Sequence, residues 1–448
     1  MRARAGDLPR TMTQKILASH VANEAVPTGD ATVRARVDQV VLTSAPRLAS
    51  LLKRLGPKRL VPELPVVYLP AGATVEADVD VSVLVARGFS VARPGAGFAC
   101  AVHLDRFASP ARVVLTDSPR LSGLGAAGML VFAADDDALL DALSTGSATV
   151  PIPCSVHVSI SGRLRAFVSA SDAAFDLFRS DIASVVEETS RRTGRRSVLE
   201  VTGPSVRFLS VPERAQLAFM ATKLGALGAV FPADERMVAF LRDQRRSKAH
   251  RVLAEEPEAP YEASVDVDLG GVDPLLGTPS GQSRTVRELA KTKVSQVVVG
   301  GDSGAGYREL LTVAALLRSK RVPRNLDFIV AAPSRQTLEI VAAAGALSDL
   351  VATGARIIDP DPRVLSGEIC PPPHAAATGD GLSLVSFVED GAGLPGRYSA
   401  GPETLALAVA TGEVGDPRAW KRAPRLTTPR TLPTDDVLLV RGKTRASE

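Results

Sequence analysis

The chain has 448 residues, 45% of them hydrophobic and 23% charged, enough apolar material for a large core, so a disordered polypeptide is excluded. Its 53 Lys and Arg against 49 Asp and Glu leave a formal charge of +4, too small a surplus to argue for nucleic-acid binding. The 36 Gly and 32 Pro follow no G-X-Y period, which excludes a collagen, and the length gives a prior of about three units. Cys100, Cys154 and Cys370 stand far apart with no Cys-x-x-Cys, so no disulfide framework is expected and a reducing, cytoplasmic location is. The five histidines fall in no HxH or HExxH arrangement, so there is no zinc signature. Residues 1–10 lack an apolar stretch, and no run of about 18 apolar residues occurs, so neither a secretory leader nor a membrane span is expected.

In chain order, Met12–Ala22 predicts an amphipathic helix, with Ile16, Leu17 and His20 at helical spacing. Ala31–Leu42 predicts a strand, Pro46–Leu55 a helix, and Leu64–Leu69 and Arg112–Leu115 short strands. Gly123–Phe132 and Ala138–Leu143 predict helices, and Pro153–Ile160 a strand. Phe175–Arg192 and Pro212–Lys223 predict helices flanking a strand at Ser197–Val201. The charged, Pro-containing stretch 245–263 predicts a helix end and a linker. Beyond it, Val294–Val299, Tyr307–Ser319, Leu326–Ala332, Ser334–Ala344 and Ala355–Asp359 alternate strand and helix, the signature of a parallel sheet with crossover helices. Ligands in such sheets sit beyond the carboxyl ends of the strands. Attention therefore falls on Gly300–Gly306, Pro333-Ser334 and Asp359–Arg363. Arg425–Thr434 predicts an extended tail, and Val437–Lys443 a last strand without an evident partner.

Several landmarks recur together. Met12–Leu17 with His20, Asp117-Ser118 after a strand, Phe231-Pro-Ala-Asp-Glu235, Tyr261–Leu269, Val297–Leu317, Leu394–Arg397 and Gly415–Arg418 stand in an order and spacing that resembles the aconitase and isopropylmalate dehydratase large-subunit family. The resemblance implies an α/β fold: three aconitase-like α/β/α domains with parallel sheets, at 12–185, 186–262 and 263–425, an extended tail at 426–448, and no C-terminal swivel domain. It also implies a separate small-subunit partner carrying that domain, and a small carboxylate as ligand.

The family's chemistry fits less well. Its members hold a [4Fe-4S] cluster through three thiolates, because iron clusters need soft sulfur ligands. Where the first belongs, this chain has Gly301-Asp302-Ser303-Gly304; where the Cys-x-x-Cys belongs it has Asp359–Gly367, with Cys370 alone nearby. The family's histidines and their acidic partners fall on Thr43-Ser44, on Val66–Pro70, on Cys100 and on Pro119, and its Asn-Arg falls on Gly391-Ala392. Asp117, Ser118 and Arg397 remain, the last of which helps hold a substrate carboxylate in the family. No [4Fe-4S] cluster and no other metal is therefore expected.

Two readings of function follow. One is a repurposed, cluster-free lyase or isomerase-type enzyme acting on a small carboxylate, with Asp117, Ser118 and Ser303 as catalytic candidates. Arg397, Asp302, Gly304 and Gly306 would then bind substrate, because N–H groups in a glycine loop before a helix attract anions. The other is an inactive binding or scaffolding subunit paired with a small-subunit-like partner. Bland alternatives stand beside several candidates. Asp302 or Ser303 would cap the Tyr307 helix. Arg397 would form a structural ion pair, and Asp117-Ser118 would shape a turn. A Ser303–Asp359/Asp361–His374 nucleophile set has the right chain order but places His374 after three prolines. Asp135–Asp137 reads as a solvated helix start, residues 245–251 as a solvated helix end, and Cys100 and Cys154 as buried small residues.

Overall fold

The computed structural model describes residues 9–22, 31–57, 59–70, 79–278, 281–302, 306–386, 396–429, 431–434 and 436–442. The first unit contains β1 (Thr32–Arg36), β2 (Gln39–Leu42), β3 (Leu64–Tyr68), β4 (Ser90–Ala92), β5 (Val113–Thr116), β6 (Leu130–Ala133) and β7 (Ser147–Pro151). The order β4-β3-β2-β5-β6 is parallel throughout, and β1 and β7 form an antiparallel ribbon beside it. β2 and β5 are buried along their whole length and apolar apart from Gln39 and Thr116, as suits strands between two helical layers. Helices α1 (Met12–Ala18), α2 (Ala45–Leu55), α3 (Val81–Ala86), α4 (Ala99–Arg106) and α5 (Asp136–Thr145) cover it. Thr11, Ser44, Asp80 and Asp135 cap α1, α2, α3 and α5 through side-chain acceptors. The acidic run is thus a helix start: Asp135 caps α5, while Asp136 and Asp137 pair with Arg47 and Arg54.

Two predicted elements are corrected here. Ala31–Leu42 is two strands, because the chain turns at buried Asp38, whose carboxylate meets His20 Nε2 at 2.7 Å and accepts Val113 N at 2.9 Å. Gly123–Phe132 is not a helix: Pro119–Ala127 winds as 3-10 turns and the chain then enters β6, whose LVF run is a strand buried on both sides.

The second unit is a four-stranded parallel sheet of β8 (Cys154–Ser161), β9 (Ser197–Thr202), β10 (Ala229–Val230) and β11 (Ala263–Asp268) in the order β10-β9-β8-β11. It carries α6 (Ala170–Asp176), α7 (Ile182–Thr193), α8 (Val211–Lys223) and α9 (Glu235–Asp243). The predicted helix 175–192 is broken at Ser180-Asp181, between α6 and α7. Domain limits at 185 and 262 both cut this sheet, since β8 precedes the first and β11 follows the second.

The third unit contains β12 (Leu275–Gly277), β13 (Ser283–Thr285), β14 (Val294–Gly300), β15 (Asp327–Ala331), β16 (Arg356–Ile358), β17 (Leu382–Val385) and β18 (Arg397–Ala400) in the order β13-β12-β18-β17-β14-β15-β16. β18 to β16 are parallel, and β12 and β13 form an antiparallel edge. Helices α10 (Tyr307–Leu317), α11 (Arg335–Ala343), α12 (Ala346–Thr353), α13 (His374–Thr378) and α14 (Pro402–Thr411) accompany it. The strand–helix alternation predicted over 294–359 is what forms. The last strand, β19 (Leu439–Val440), finds its partner far upstream: it pairs antiparallel with β4, tying the end of the described chain to the first sheet. Among the described residues no helix is long and apolar enough to cross a membrane.

Candidate functional site

The first and third units meet at the carboxyl ends of β4 and β15. Phe98 N donates to Pro333 O at 2.9 Å and Arg335 N to Ala96 O at 2.9 Å, and Gly97 bridges to Ser334. Only glycine fits at 97: φ is +143°, and a Cβ there would stand 2.7 Å from Ser334 Cα and 2.8 Å from Pro333 O. Gly300 is equally constrained, with φ +113° and a Cβ that would lie 1.7 Å from Ala331 O. These two glycines let the turns after β4, β14 and β15 crowd together.

Beside this junction lies a cavity of about 160 Å³. Cys100, Leu104 and Asp105 of α4 form one wall. Pro212, Arg236, Phe240 and Gln244 come from the second unit, and Gly306–Glu309 and Gln336 from the third. Leu432 reaches in from the C-terminal segment. All three units thus contribute, at the strand ends where α/β sheets bind ligands.

The polar groups are held in fixed orientations. Gln244 Oε1 accepts from Arg106 Nη1 at 2.8 Å and from Gln336 Nε2 at 3.0 Å, which turns Gln244 Nε2 onto Asp105 Oδ1 at 3.0 Å. Burial pushes the Asp105 carboxyl up to about 7, against the opposing pull of Arg106 and Arg246. Burial likewise pushes Glu309 up to about 7, with Glu213 adding repulsion, although its carboxylate accepts Gly306 N at 2.7 Å. Behind the wall, Gln39 Nε2 donates to Phe107 O at 3.2 Å, so Gln39 Oε1 accepts from His103 Nε2 at 2.7 Å. His103 Nδ1 is then the acceptor for Tyr68 OH at 3.1 Å. Burial lowers His103 to about 3, so this ring is neutral and completes a closed chain rather than serving as a base. The Tyr68 phenol is held well above its ordinary value by burial and by the nearby acidic groups of Cys100, Asp105 and Asp302.

The C-terminal segment crosses the cavity. Pro433 O accepts from Gln336 Nε2 at 2.5 Å and Arg106 Nη2 at 3.4 Å, and Asp436 pairs with Arg106 Nε at 2.5 Å. The region read as an extended tail therefore forms part of the wall.

Among the described residues, the predicted site residues do not converge. Asp117 fixes a turn: its carboxylate accepts Thr43 N, Thr43 Oγ1 and Ser44 N, at 2.9–3.0 Å. Ser118 opens the 3-10 turns with its N–H on Thr116 Oγ1 at 3.1 Å. Neither lines the cavity. Arg397 is 1% exposed at the start of β18, where Nη2 donates to Val364 O at 3.4 Å, also away from the cavity. Asp302 is buried behind the wall, in electrostatic reach of Tyr68. Gly306 does line the cavity, and it rather than Asp302 is the N-cap residue of α10. Ser303 and Gly304 lie outside the described residues, as do Leu394-Pro395 and Gly391-Ala392. His374 is exposed at the start of α13, and Asp361 is paired with Arg363 at 2.8 Å. The stretch 245–251 is not wholly solvated: Arg246 Nη2 donates to Ala108 O at 2.7 Å, and its Nη1 faces Leu104 O and Asp105 O, at the C-terminus of α4. Asp105, Gln244, Glu309 and Arg236 escape a sequence reading because they come from three distant segments. One available signal was Asp105 lying a turn and a half beyond Cys100 on one helix.

Comparison with known proteins gives this geometry a lineage. Residues 81–287 match the model of the aconitase family (aconitate hydratase). The 3-isopropylmalate dehydratase large subunit of Moorella thermoacetica is 25% identical over 366 residues, 78% of this chain and 84% of the relative. Large subunit 1 of the same enzyme from Thermotoga maritima is 26% identical over 436 residues, 92% of this chain and 99% of the relative. The 2,3-dimethylmalate dehydratase large subunit of Eubacterium barkeri is 22% identical over 374 residues, 78% of this chain and 85% of the relative. The chain is thus distantly homologous over most of its length to the large subunits of these dehydratases, with a match to the aconitase family over residues 81–287.

Proposed function

We propose that this is a cluster-free aconitase-family protein, a repurposed lyase or isomerase-type subunit whose central cavity takes a small carboxylate. The observation that carries this reading is the make-up of the cavity. It offers the carboxyls of Asp105 and Glu309 and the guanidiniums of Arg236 and Arg308, around apolar Leu104, Phe240 and Leu432. Guanidinium groups suit carboxylate ligands, and carboxyls near neutrality suit proton transfer.

A [4Fe-4S] cluster, which the family implies, needs several thiolates converging on one point. Cys100 stands in the cavity wall against Gly123. Cys154 contacts Ser197 Oγ and Arg195 O at the start of β8. Cys370 packs among Phe98, Val298 and Ile329 under the third sheet. Three sulfurs in three surroundings do not supply that donor set, and no step is routed through a cluster.

One observation favours the inactive binding subunit instead. Asp117, the surviving acid of the family pattern, spends its carboxylate on the Thr43-Ser44 turn. Under either reading the relatives, named as large subunits, support a small-subunit partner.

The carboxylate reading is tested by modifying Cys100 with a thiol reagent in the presence of malonate, citrate or 3-isopropylmalate, alongside thermal unfolding. At least one acid is expected to slow the modification and raise Tm, and Arg236→Ala to remove both effects. Protection by none of the acids contradicts the reading. Conversion of the protecting acid over time, followed by NMR, separates the enzyme from the binding subunit.

A further inference from the structure

We propose that the central cavity takes its carboxylate ligand together with a proton, and that Asp105 is the residue that holds it. This rests on the carboxylate reading above and adds to it a linkage between ligand and pH.

Asp105 is a carboxyl set in the cavity wall without a dedicated cation. Its Oδ1 accepts from a neutral amide, Gln244 Nε2, at 3.0 Å. Its helix neighbour Arg106 is turned toward Asp436 and Gln244. The other cation in range, Arg246, donates to backbone oxygens at the end of α4, including that of Asp105 itself. Ser334 on the third unit donates to the carboxyl, while Asp436 on the C-terminal segment repels its charge. Tyr68 from β3 and Asp302 from the β14 turn lie on the far side, where the phenol stays protonated. Asp243 and Glu309 line the same cavity. Next to Asp105 thus stand neutral donors, an acid and two cations engaged with other partners, while Arg236 and Arg308 line the same cavity.

A carboxylate entering this cavity brings one more negative charge beside that carboxyl. Like charges close together cannot both stay ionised cheaply, so the proton affinity of Asp105 rises when the ligand is bound. A protonated Asp105 then donates its O–H to the ligand carboxylate, a short charge-assisted bond that the ionised form would replace with repulsion. No covalent change is involved; a proton moves from solvent to Asp105 Oδ as the anion binds.

The linkage has a definite sign. Free Asp105 already holds its proton at pH 6, since burial raises it to about 7, so uptake there is small and affinity flat. Above neutrality the free carboxyl is ionised and must be reprotonated, so affinity falls with rising pH toward about tenfold per unit for one linked proton.

The experiment is calorimetric titration of the full chain with malonate and with 3-isopropylmalate, from pH 6 to 8.5, in buffers of differing ionisation heat. The expected result is uptake that grows toward one proton per ligand above neutrality. Asp105→Asn, which keeps a neutral donor permanently, is expected to bind with an affinity that no longer falls with pH. Asp105→Glu, the second variant should Asn not fold, is expected to keep the uptake with a displaced midpoint. Binding without buffer-dependent heat overturns the proposal while leaving the carboxylate reading standing. Uptake that survives in Asp105→Asn and vanishes in Glu309→Gln overturns the assignment to Asp105. Failure of both acids to bind overturns the carboxylate reading, and the proposal with it.

Discussion

Arg214→Ala is expected to remove about 3–5 kcal/mol of folding stability, read as a lowered urea midpoint at pH 7. Arg214 is fully buried on α8, and every nitrogen of its guanidinium is used. Nη1 and Nη2 reach Asp234 at 2.9 and 2.6 Å; Nε meets Leu209 O at 3.2 Å and Nη2 meets Val206 O at 3.0 Å. Pro232 O accepts from Nη1 at 3.3 Å. Truncation leaves three buried carbonyls without this donor, deprives Asp234 of its counter-ion and opens a cavity beside Phe231. Asp234 also caps α9 through Met237 N, so the loss spreads to the helix that supplies Arg236. This pair explains the Phe231–Glu235 landmark as architecture rather than chemistry. A loss under about 1 kcal/mol would contradict it.

Stability is also expected to fall as pH rises from about 5 to 8. Asp172, Glu213, Glu309 and Glu403 stand in the first turns of α6, α8, α10 and α14, where the second and third units meet. Burial raises Asp172 to about 6, and burial with repulsion from neighbouring acids raises Glu309 to about 7 and Glu403 to about 8. Asp105 is raised by burial to about 7. An acid raised in the folded state holds a proton that the unfolded chain has already released. Its stabilising contribution is complete below the ordinary carboxyl value and is lost as pH climbs through the raised one. Each such group contributes a decline of about 1.4 kcal/mol per pH unit while the two states differ by a full proton. Asp38, lowered on balance because His20 and Arg112 outweigh its burial, works in the opposite sense at the acid end. The Tm maximum is therefore expected on the acid side of neutrality. Glu403→Gln is expected to flatten the alkaline decline. A Tm that rises steadily from pH 5 to 8 would contradict this account of the buried acids.

How much of this was legible in the sequence depends on whether the signal is local. The 294–359 cassette was legible because β14 carries the apolar run Val297–Val299 and Ser334 caps α11 after β15. The 123–132 stretch was not, since a short apolar run such as Leu130–Phe132 has no period that separates a buried parallel strand from a buried helix. β19 was visible as a strand but not its partner, because β4 lies at the other end of the chain. The site was the least legible part. The landmarks drew attention to Asp117 and Arg397, which hold turns and core. The cavity is built by Asp105, Arg236, Gln244 and Glu309, each an ordinary helical polar residue until the three units assemble.

We propose that the fold has been kept while its metal chemistry has not. Iron and acid-labile sulfide, measured on the full chain after anaerobic reconstitution, address it directly. A colourless protein with iron well below four atoms per chain is expected, whether or not a carboxylate is present. A brown protein with stoichiometric iron and sulfide that dehydrates a hydroxy acid would contradict it.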